Sequence, residues 1–188
     1  EQIYLLNRRL MNLNYADIKY CDVANGEGVR VSLFVSGCTH HCKECFNKEA
    51  WDFHYGNPFT QKEIDRILEY LKPNYIAGLS LLGGEPMEPV NQEGILPLLR
   101  VVKQTYPEKN IWCYTGYLFD KDVLDKMCKE SEVTKEIVSY LDIVVDGEFM
   151  IDRKNLKINF RGSDNQRIID VKKTLDAGEI VHWEREIQ

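Results

Sequence analysis

Apolar segments rich in β-branched residues alternate along the chain with segments of helical periodicity, and this alternation restricts the possible folds more than any other feature. We predict strands over residues 29–35, 76–82, 110–114 and 141–145, and a fifth over 167–171 in a less regular tail. A helix that follows a strand can return the chain to the same edge of a sheet. The alternation therefore predicts a parallel sheet.

The segments between the predicted strands carry helix signals. Thr60-Gln-Lys-Glu63 is a capping box, in which the Thr hydroxyl and the Glu carboxylate each accept a hydrogen bond from the other's backbone N–H. The helix that begins there ends at Pro73, and its apolar face consists of Ile64, Ile67, Leu68 and Leu71. Further helices are predicted over residues 95–106, 120–130 and 134–140. Pro97 would lie in the first turn of the second helix.

These units define the fold class that we expect. A closed eightfold β/α barrel takes about 250 residues, and a chain of 188 residues with four or five strand–helix units is too short for one. We therefore predict an α/β fold with an open, partial β/α barrel, and a doubly wound sheet is the alternative that the pattern leaves open. Met11 is a plausible translation start, so we expect residues 1–10 to be an upstream extension and residues 11–188 to form one domain.

Charge and hydropathy restrict the partners and the compartment. The formal net charge of −6 and the pI near 5.3 argue against a nucleic-acid partner, because phosphate binding needs a basic surface. No apolar run approaches the roughly 20 residues that a membrane span requires, and the N-terminal residues lack the pattern of a secretory signal. We expect a cytoplasmic protein, in which six cysteines indicate metal or redox chemistry rather than disulfides.

Three of the cysteines lie within eight residues, directly after the predicted strand 29–35. Cys38, Cys42 and Cys45 could bind three irons of a cubane iron–sulfur cluster, which normally has four cysteine ligands. An open metal position is typical of a site that performs chemistry. Zinc, with a histidine of the same loop as fourth ligand, is the competing interpretation. Zinc sites usually combine two well-separated ligand pairs, so the spacing favours the iron–sulfur cluster.

Three further motifs also come directly after predicted strands. They are Gly83-Gly84-Glu85-Pro86, Tyr114-Thr115-Gly116 and Asp146-Gly147-Glu148. Ligands of parallel β/α folds bind at the carboxyl ends of the strands, so we expect these motifs and the cysteine loop to face one cleft. Glycines let backbone groups approach a ligand closely, and Glu85 would accept a hydrogen bond from an ammonium group. Thr115 and Asp146 would suit a ribose or an α-amino acid, although ordinary turns have the same composition.

The pattern Cys-x3-Cys-x2-Cys followed by Gly-Gly-Glu-Pro is that of the radical S-adenosylmethionine superfamily, which the chain resembles. Within the superfamily, five segments resemble the activating proteins of anaerobic ribonucleoside-triphosphate reductases, namely residues 26–30, 35–42, 46–47, 51–53 and 160–167. The resemblance runs from about residue 11 to about residue 171, which is nearly the whole chain.

The resemblance implies that Cys38, Cys42 and Cys45 bind a 4Fe-4S cluster whose fourth iron is chelated by S-adenosyl-L-methionine. In the superfamily, the reduced cluster cleaves the sulfonium to give methionine and a 5′-deoxyadenosyl radical. The activating proteins use that radical to remove a hydrogen atom from one glycine of a partner enzyme. The implied partner is an anaerobic ribonucleoside-triphosphate reductase, and the implied electron donor is a flavodoxin-like protein.

The resemblance also implies roles for residues around the cysteines. The segment Gly83–Glu85 would hold the methionyl amino group, and the segment Glu44–Asn47 would lie near the adenine. The superfamily commonly has an aromatic residue before the third cysteine, where this chain has Glu44. We therefore expect adenine contact from the backbone at that position or from Phe46.

Two alternatives remain open. One keeps the radical chemistry and changes the partner, for instance to pyruvate formate-lyase, although the short chain leaves little room for a small-molecule substrate pocket of its own. The other alternative is a metal-bound interaction module without catalysis, with zinc in place of the cluster.

Overall fold

The computed structural model describes residues 12–185, and one seven-stranded mixed sheet forms its centre. The strands are β1 (Asn14–Asp22), β2 (Val29–Val35), β3 (Asn57–Pro58), β4 (Ile76–Gly83), β5 (Asn110–Thr115), β6 (Ile143–Asp146) and β7 (Arg167–Asp170). Their spatial order is β3-β1-β2-β4-β5-β6-β7. The extension expected at residues 1–10 lies outside the described residues.

The four central strands are parallel, as the alternation predicts. β2 pairs with β4, β4 with β5, and β5 with β6 in parallel, whereas the pairs that involve β1, β3 and β7 are antiparallel. The α/β class is therefore confirmed. The central strands follow one another in chain order, without the reversal that characterises a doubly wound sheet. Right-handed crossovers that advance in one direction place their helices on one face of the sheet.

Helices connect the strands and cover that face. They are α1 (Gln61–Leu71), α2 (Pro89–Thr105), α3 (Cys128–Glu130), α4 (Glu132–Tyr140) and α5 (Val171–Ala177), with a π-helical segment over Phe119–Met127 and 3-10 turns at Lys48–Trp51 and Ile151–Arg153. Among the helices of residues 12–185, none has the length and apolar character that a membrane span requires.

The two faces of the sheet have different cores. A large buried cluster joins the helices to one face and includes Ile67, Leu99 and Cys113. A smaller cluster contains Trp112 and Val145. Neighbouring residues of a strand point to opposite faces, so Trp112 lies on the face that the helices leave uncovered.

Two helix starts show where local sequence signals work and where they fail. Thr60 N–H donates to Glu63 Oε2 over 2.9 Å, and the return bond to the Thr60 hydroxyl is also made, so the capping box is confirmed. α2 begins at Pro89 rather than Ile95, and the prediction that Pro97 lies in its first turn is wrong. Pro89 takes the first helical position, where a missing N–H loses no intrahelical bond, and Pro97 lies buried in the helix interior.

The sequence analysis missed β1 and β3. Of the nine residues of β1 only Tyr15 is buried, so this strand lacks the continuous apolar run that marks the central strands. β3 has only two residues, both exposed. The tail strand is present as Arg167–Asp170 and pairs antiparallel with β6.

Candidate metal centre and ligand cavity

Four loops meet at the carboxyl ends of β2, β4, β5 and β6. They are the cysteine loop and the loops that follow the other three strands, and all four contribute to the wall of one cavity of about 520 Å³. Cavities that hold small ligands and cofactors usually have volumes of about 300–1,000 Å³. The cleft expected from the parallel strands is therefore present, and its size is typical of a ligand site.

Cys38, Cys42 and Cys45 all line this cavity, and all three are free. Cys38 is buried, whereas Cys42 and Cys45 are half-buried. Burial raises the pKa of Cys38 to about 12 and also raises the pKa of Cys42, so without a metal both are thiols at neutral pH. Metal binding favours the thiolate. The cysteines outside the cavity are Cys21, Cys113 and Cys128.

The backbone of the cysteine loop is strained between its sulfurs. His41 and Glu44 have left-handed conformations, with φ of +49° and +58°. Such a conformation costs a residue with a side chain about 1–2 kcal/mol and persists where its surroundings impose it. Cys45 N–H donates to Cys42 O over 3.1 Å, and the His41 ring stacks on Trp51 with centroids 4.4 Å apart. These contacts hold the strained loop against the cavity.

Gly83, the last residue of β4, and Gly84 bring that strand close to the cysteine loop. Glu85 N–H donates to Gly37 O over 2.8 Å. A Cβ atom on Gly84 would lie 2.6 Å from Gly37 O and 2.8 Å from Ala50 O, so any other residue would displace the backbone of the loop. Gly83 has φ of +107°, which favours glycine. Both glycines line the cavity with their backbone atoms.

The side chain of Glu85 is occupied by donors from the protein. Met87 N–H donates to Oε1 over 2.8 Å, Gly116 N–H donates to Oε2 over 2.7 Å, and His40 Nε2 lies 3.0 Å from Oε2. Glu85 is only 1% exposed. Its carboxylate therefore connects the loops, which differs from the free acceptor for an ammonium group that the sequence suggested.

His40 lies between two carboxylates. In addition to its contact with Glu85, its Nδ1 lies 3.1 Å from Glu148 Oε1. The ring packs edge-on against Tyr117 with centroids 4.4 Å apart. Burial lowers the pKa of His40, but the hydrogen bonds with Glu85 and Glu148 outweigh that effect, so the pKa lies above its ordinary value.

The remaining predicted contact residues divide into two groups. Phe46, Asn47 and Thr115 line the cavity together with the glycines. Glu44 is exposed and does not belong to the cavity wall. Its carboxylate lies 3.8 Å from Lys48 Nζ, at the surface of the loop.

Asp146 is buried, but it too lies outside the cavity wall. Arg167 Nε donates to Asp146 Oδ1 over 2.9 Å, and Phe119 N–H donates to Asp146 Oδ2 over 2.7 Å. Arg167 Nη2 also donates to Asp120 Oδ1 over 2.9 Å. The hydrogen bond that Arg167 donates to Asp146 raises the pKa of Arg167, and the one that Arg167 donates to Asp120 lowers the pKa of Asp120. The two residues that follow Asp146 line the cavity in its place.

The cavity wall fits a polar ligand and a cluster. Within the described residues, Tyr114 Oη and Arg161 Nε are buried and have no hydrogen-bond partner, and both residues belong to the cavity wall. Buried polar atoms are rarely left unpaired. In residues 12–185 no three His, Cys, Asp or Glu side chains are grouped as a single metal ion requires. The cysteine ligands of a cubane each bind a different iron, so three thiols spread along one wall suit that group.

The sequence analysis missed the contacts that hold the cysteine loop in place. His40 and Glu148 are 108 positions apart in the chain. Thr39 N–H donates to Glu88 Oε1 over 2.9 Å, across 49 positions. No spacing rule predicts contacts over such separations. The available signal was only that these residues lie in or near loops that follow predicted strands.

Known proteins similar to this chain share its cysteine-bearing region. The sequence pattern of the family described as 4Fe-4S single cluster domain matches residues 24–169. A protein of Enterobacteria phage T4 is 42% identical over 158 residues, which cover 83% of this chain and 93% of the relative. A protein of Pasteurella multocida (strain Pm70) is 40% identical over 158 residues, with coverage of 83% and 96%. A protein of Escherichia coli (strain K12) is 38% identical over 156 residues, with coverage of 82% and 96%. Each is named anaerobic ribonucleoside-triphosphate reductase-activating protein.

Proposed function

Because the chain belongs to the 4Fe-4S single cluster domain family and, within it, to the anaerobic ribonucleoside-triphosphate reductase-activating proteins, we propose that it is a radical S-adenosylmethionine enzyme. It uses a 4Fe-4S cluster and S-adenosylmethionine to generate a glycyl radical on an anaerobic ribonucleoside-triphosphate reductase. One observation carries the proposal: three free cysteines and a pair of glycines share the wall of one cavity at the carboxyl ends of four parallel strands.

The residues of the cavity wall have separate roles in this proposal. Cys38, Cys42 and Cys45 would hold three irons and leave the fourth for S-adenosylmethionine. When bound, such a cluster supplies the electron that cleaves the sulfonium. The protein supplies position and excludes water.

The contacts to S-adenosylmethionine follow from which groups are free. The carboxylate of Glu85 is held by three protein donors, and its backbone oxygen accepts from Asn91 Nδ2 and Glu88 N–H. The backbone oxygens of Gly83 and Gly84 would therefore accept the hydrogen bonds of the methionyl ammonium. Phe46 and Asn47 would contact the adenine, and Thr115 would contact the ribose or the amino-acid part. We assign no ligand contact to the side chains of Glu44 and Asp146.

The fold and the domain limits are part of the same proposal. The sheet would be the open, partial β/α barrel of the radical S-adenosylmethionine type, with residues 11–188 as one domain. The chain-order arrangement of β2, β4, β5 and β6 supports this, because a twisted sheet wound in one direction curves toward closure. β3 and β7 are the two edges of the sheet, which leaves it open.

The proposed partner is a protein rather than a small molecule. The relatives are named for activating an anaerobic ribonucleoside-triphosphate reductase. Two cavity-lining side chains, Phe46 and Leu156, are 62% and 81% exposed. Apolar groups exposed at a cavity suit contact with a polypeptide. A flavodoxin-like protein would donate the electron, in the cytoplasm.

We predict that Cys38→Ala, Cys42→Ala and Cys45→Ala each abolish reductive cleavage of S-adenosylmethionine. The unsubstituted protein, prepared without oxygen, should contain about four iron and four acid-labile sulfide per chain. When it is reduced in the presence of S-adenosylmethionine, it should release methionine and 5′-deoxyadenosine. Cys21→Ala is the matched control, because Cys21 is exposed and lies outside the cavity. Full activity in any one of the three loop variants would overturn the assignment.

The partner and the alternatives are tested with the same preparation. Incubation with anaerobic ribonucleoside-triphosphate reductase should produce a glycyl radical that electron paramagnetic resonance detects. A radical formed only on pyruvate formate-lyase would change the partner and keep the chemistry. Colourless protein with stoichiometric zinc and no cleavage activity would support the interaction module instead.

A further inference from the structure

We propose that His40 is a positioning residue. By bridging Glu85 and Glu148 it fixes the cysteine loop relative to the ends of β4 and β6, and so sets where S-adenosylmethionine meets the cluster. This inference rests on the proposed function. It concerns a side chain that supplies no ligand atom and acts through the backbone of the loop that carries the cysteines.

The bridge joins three loops through one ring. His40 Nε2 lies 3.0 Å from Glu85 Oε2, and Nδ1 lies 3.1 Å from Glu148 Oε1. Gly116 N–H donates to the same Glu85 oxygen over 2.7 Å, which brings the end of β5 into the network. A carboxylate accepts hydrogen bonds, so each ring nitrogen that carries a hydrogen donates to the carboxylate it faces.

The surroundings of the ring are shaped to receive it. A Cβ atom on Gly116 would lie 2.7 Å from both His40 Cδ2 and His40 Nε2, so the absence of a side chain there makes room for the ring. The ring edge packs on Tyr117, with centroids 4.4 Å apart. A histidine that merely projected into solvent would need neither contact.

The position of His40 in the loop explains why the bridge affects the ligands. It lies two residues after Cys38 and two residues before Cys42. Beyond it the backbone is strained at His41, so the sulfur of Cys42 has no rigid secondary structure to place it. A shift of the ring therefore moves the loop between two of the three sulfurs. Groups that orient metal ligands from outside the ligand shell typically change metal affinity or activity by about 10- to 100-fold when they are removed.

The test compares His40→Ala with His54→Ala, a histidine whose side chain is 94% exposed and which lies outside the cavity wall. Each protein is reconstituted anaerobically and assayed for iron and sulfide. The Kd for S-adenosylmethionine is measured for each protein. The electron paramagnetic resonance spectrum of the reduced protein is recorded before and after S-adenosylmethionine is added. We expect His40→Ala to weaken S-adenosylmethionine binding by about tenfold or more and to alter the ligand-induced change in the spectrum. We expect His54→Ala to match the unsubstituted protein.

Two further variants separate positioning from a general loss of stability. Gly116→Ala alters no hydrogen-bonding group, but its methyl group fills the space of the His40 ring, so we expect it too to weaken S-adenosylmethionine binding. In the His40→Ala background the ring is absent, so Gly116→Ala should cause little further loss of affinity. His40→Gln keeps donor capacity toward a carboxylate and should restore part of the affinity. Thermal unfolding of each reconstituted protein reports stability separately.

The outcomes distinguish this inference from the function on which it rests. If the unsubstituted protein takes up no cluster or its spectrum does not respond to S-adenosylmethionine, the proposed function fails and the inference fails with it. If that protein responds and His40→Ala responds equally, only the positioning role is overturned. Should His40→Ala fail to fold, unchanged affinity in Gly116→Ala would overturn the role just as well.

Discussion

The two ends of the parallel strands both bury polar atoms, but they use them differently. At the amino end, Arg30 makes five hydrogen bonds, all to acceptors of the protein. At the carboxyl end, Tyr114 Oη and Arg161 Nε have no partner in the part of the chain that the structure describes. The difference teaches that one end holds the sheet together, while the other end can carry strained loops and buried polar atoms that lack a partner.

Arg30 joins three strands through uncharged acceptors. Its Nε donates to Ser80 Oγ over 2.7 Å, and its Nη1 and Nη2 donate to Asn110 Oδ1 over 2.7 Å and to Leu79 O over 2.9 Å. The guanidinium lies 5.4 Å from the centroid of the Trp112 ring. Burial lowers the pKa of Arg30 to about 10, so it stays charged at neutral pH. Oriented dipoles and an aromatic face replace the counter-ion.

The largest loss of stability is expected from Arg30→Met. Removal of the guanidinium leaves several buried acceptors unpaired, at about 1–3 kcal/mol each, so the free energy of unfolding should fall by more than about 3 kcal/mol. Urea unfolding measures this, and the Kd for S-adenosylmethionine of the folded protein should stay unchanged. Arg100→Met is the control, because Arg100 forms a half-exposed ion pair with Glu136 and should cost at most about 1 kcal/mol. An Arg30→Met protein that lost affinity for S-adenosylmethionine and kept its stability would contradict the assignment of stability to the amino end of the strands.

Gly84→Ala should differ from Arg30→Met, because it should lower the affinity for S-adenosylmethionine. Its Cβ would contact the backbone oxygen of Gly37 at 2.6 Å and push the cysteine loop away from the end of β4. Overpacking of this kind costs about 1–3 kcal/mol, yet we expect the affinity for S-adenosylmethionine to fall by about tenfold or more. Gly178→Ala is the control: its φ is +72° and nothing lies near its Cβ, so it should lose stability without losing affinity. Equal affinities in the two variants would show that the Gly84 contact does not shape the site.

The smallest effect is expected from Asp120→Asn, at the ion pair beside the site. The hydrogen bond from Arg167 lowers the pKa of Asp120, so the stabilisation is fully present above the ordinary carboxyl pKa near 3.9. This stabilisation is lost as the pH falls through the lowered pKa that Asp120 has in the folded protein. The side chain is 35% exposed, which limits the difference at pH 7 to about 0.5 kcal/mol. Urea unfolding at pH 7 and pH 3 should show a smaller difference at the lower pH, and a larger difference at pH 3 would reverse the assigned sign.

Local patterns accounted for much of the fold and for the place of the site. The capping box Thr60–Glu63 spans four residues and could be identified because both partners lie within one turn. The alternation of strands and helices placed four motifs after four strands, and parallel strands bring their carboxyl ends to one edge. The start of α2 was misplaced because Pro89 and Pro97 are both compatible with a first turn, and only the packing of the segment distinguishes them.

By itself the sequence determined the α/β class, the parallel order of the central strands and the three cysteines of one loop, since each of these depends on residues close together in the chain. Only the tertiary structure decided that Glu85 is held by His40 and two backbone N–H groups, and that Asp146 turns to Arg167 instead of the cavity. It also decided that Glu148, 108 positions from His40, completes the bridge. A carboxylate accepts from whichever donor the folded chain brings near it, and that choice is made by packing between elements rather than by the residues beside it in sequence.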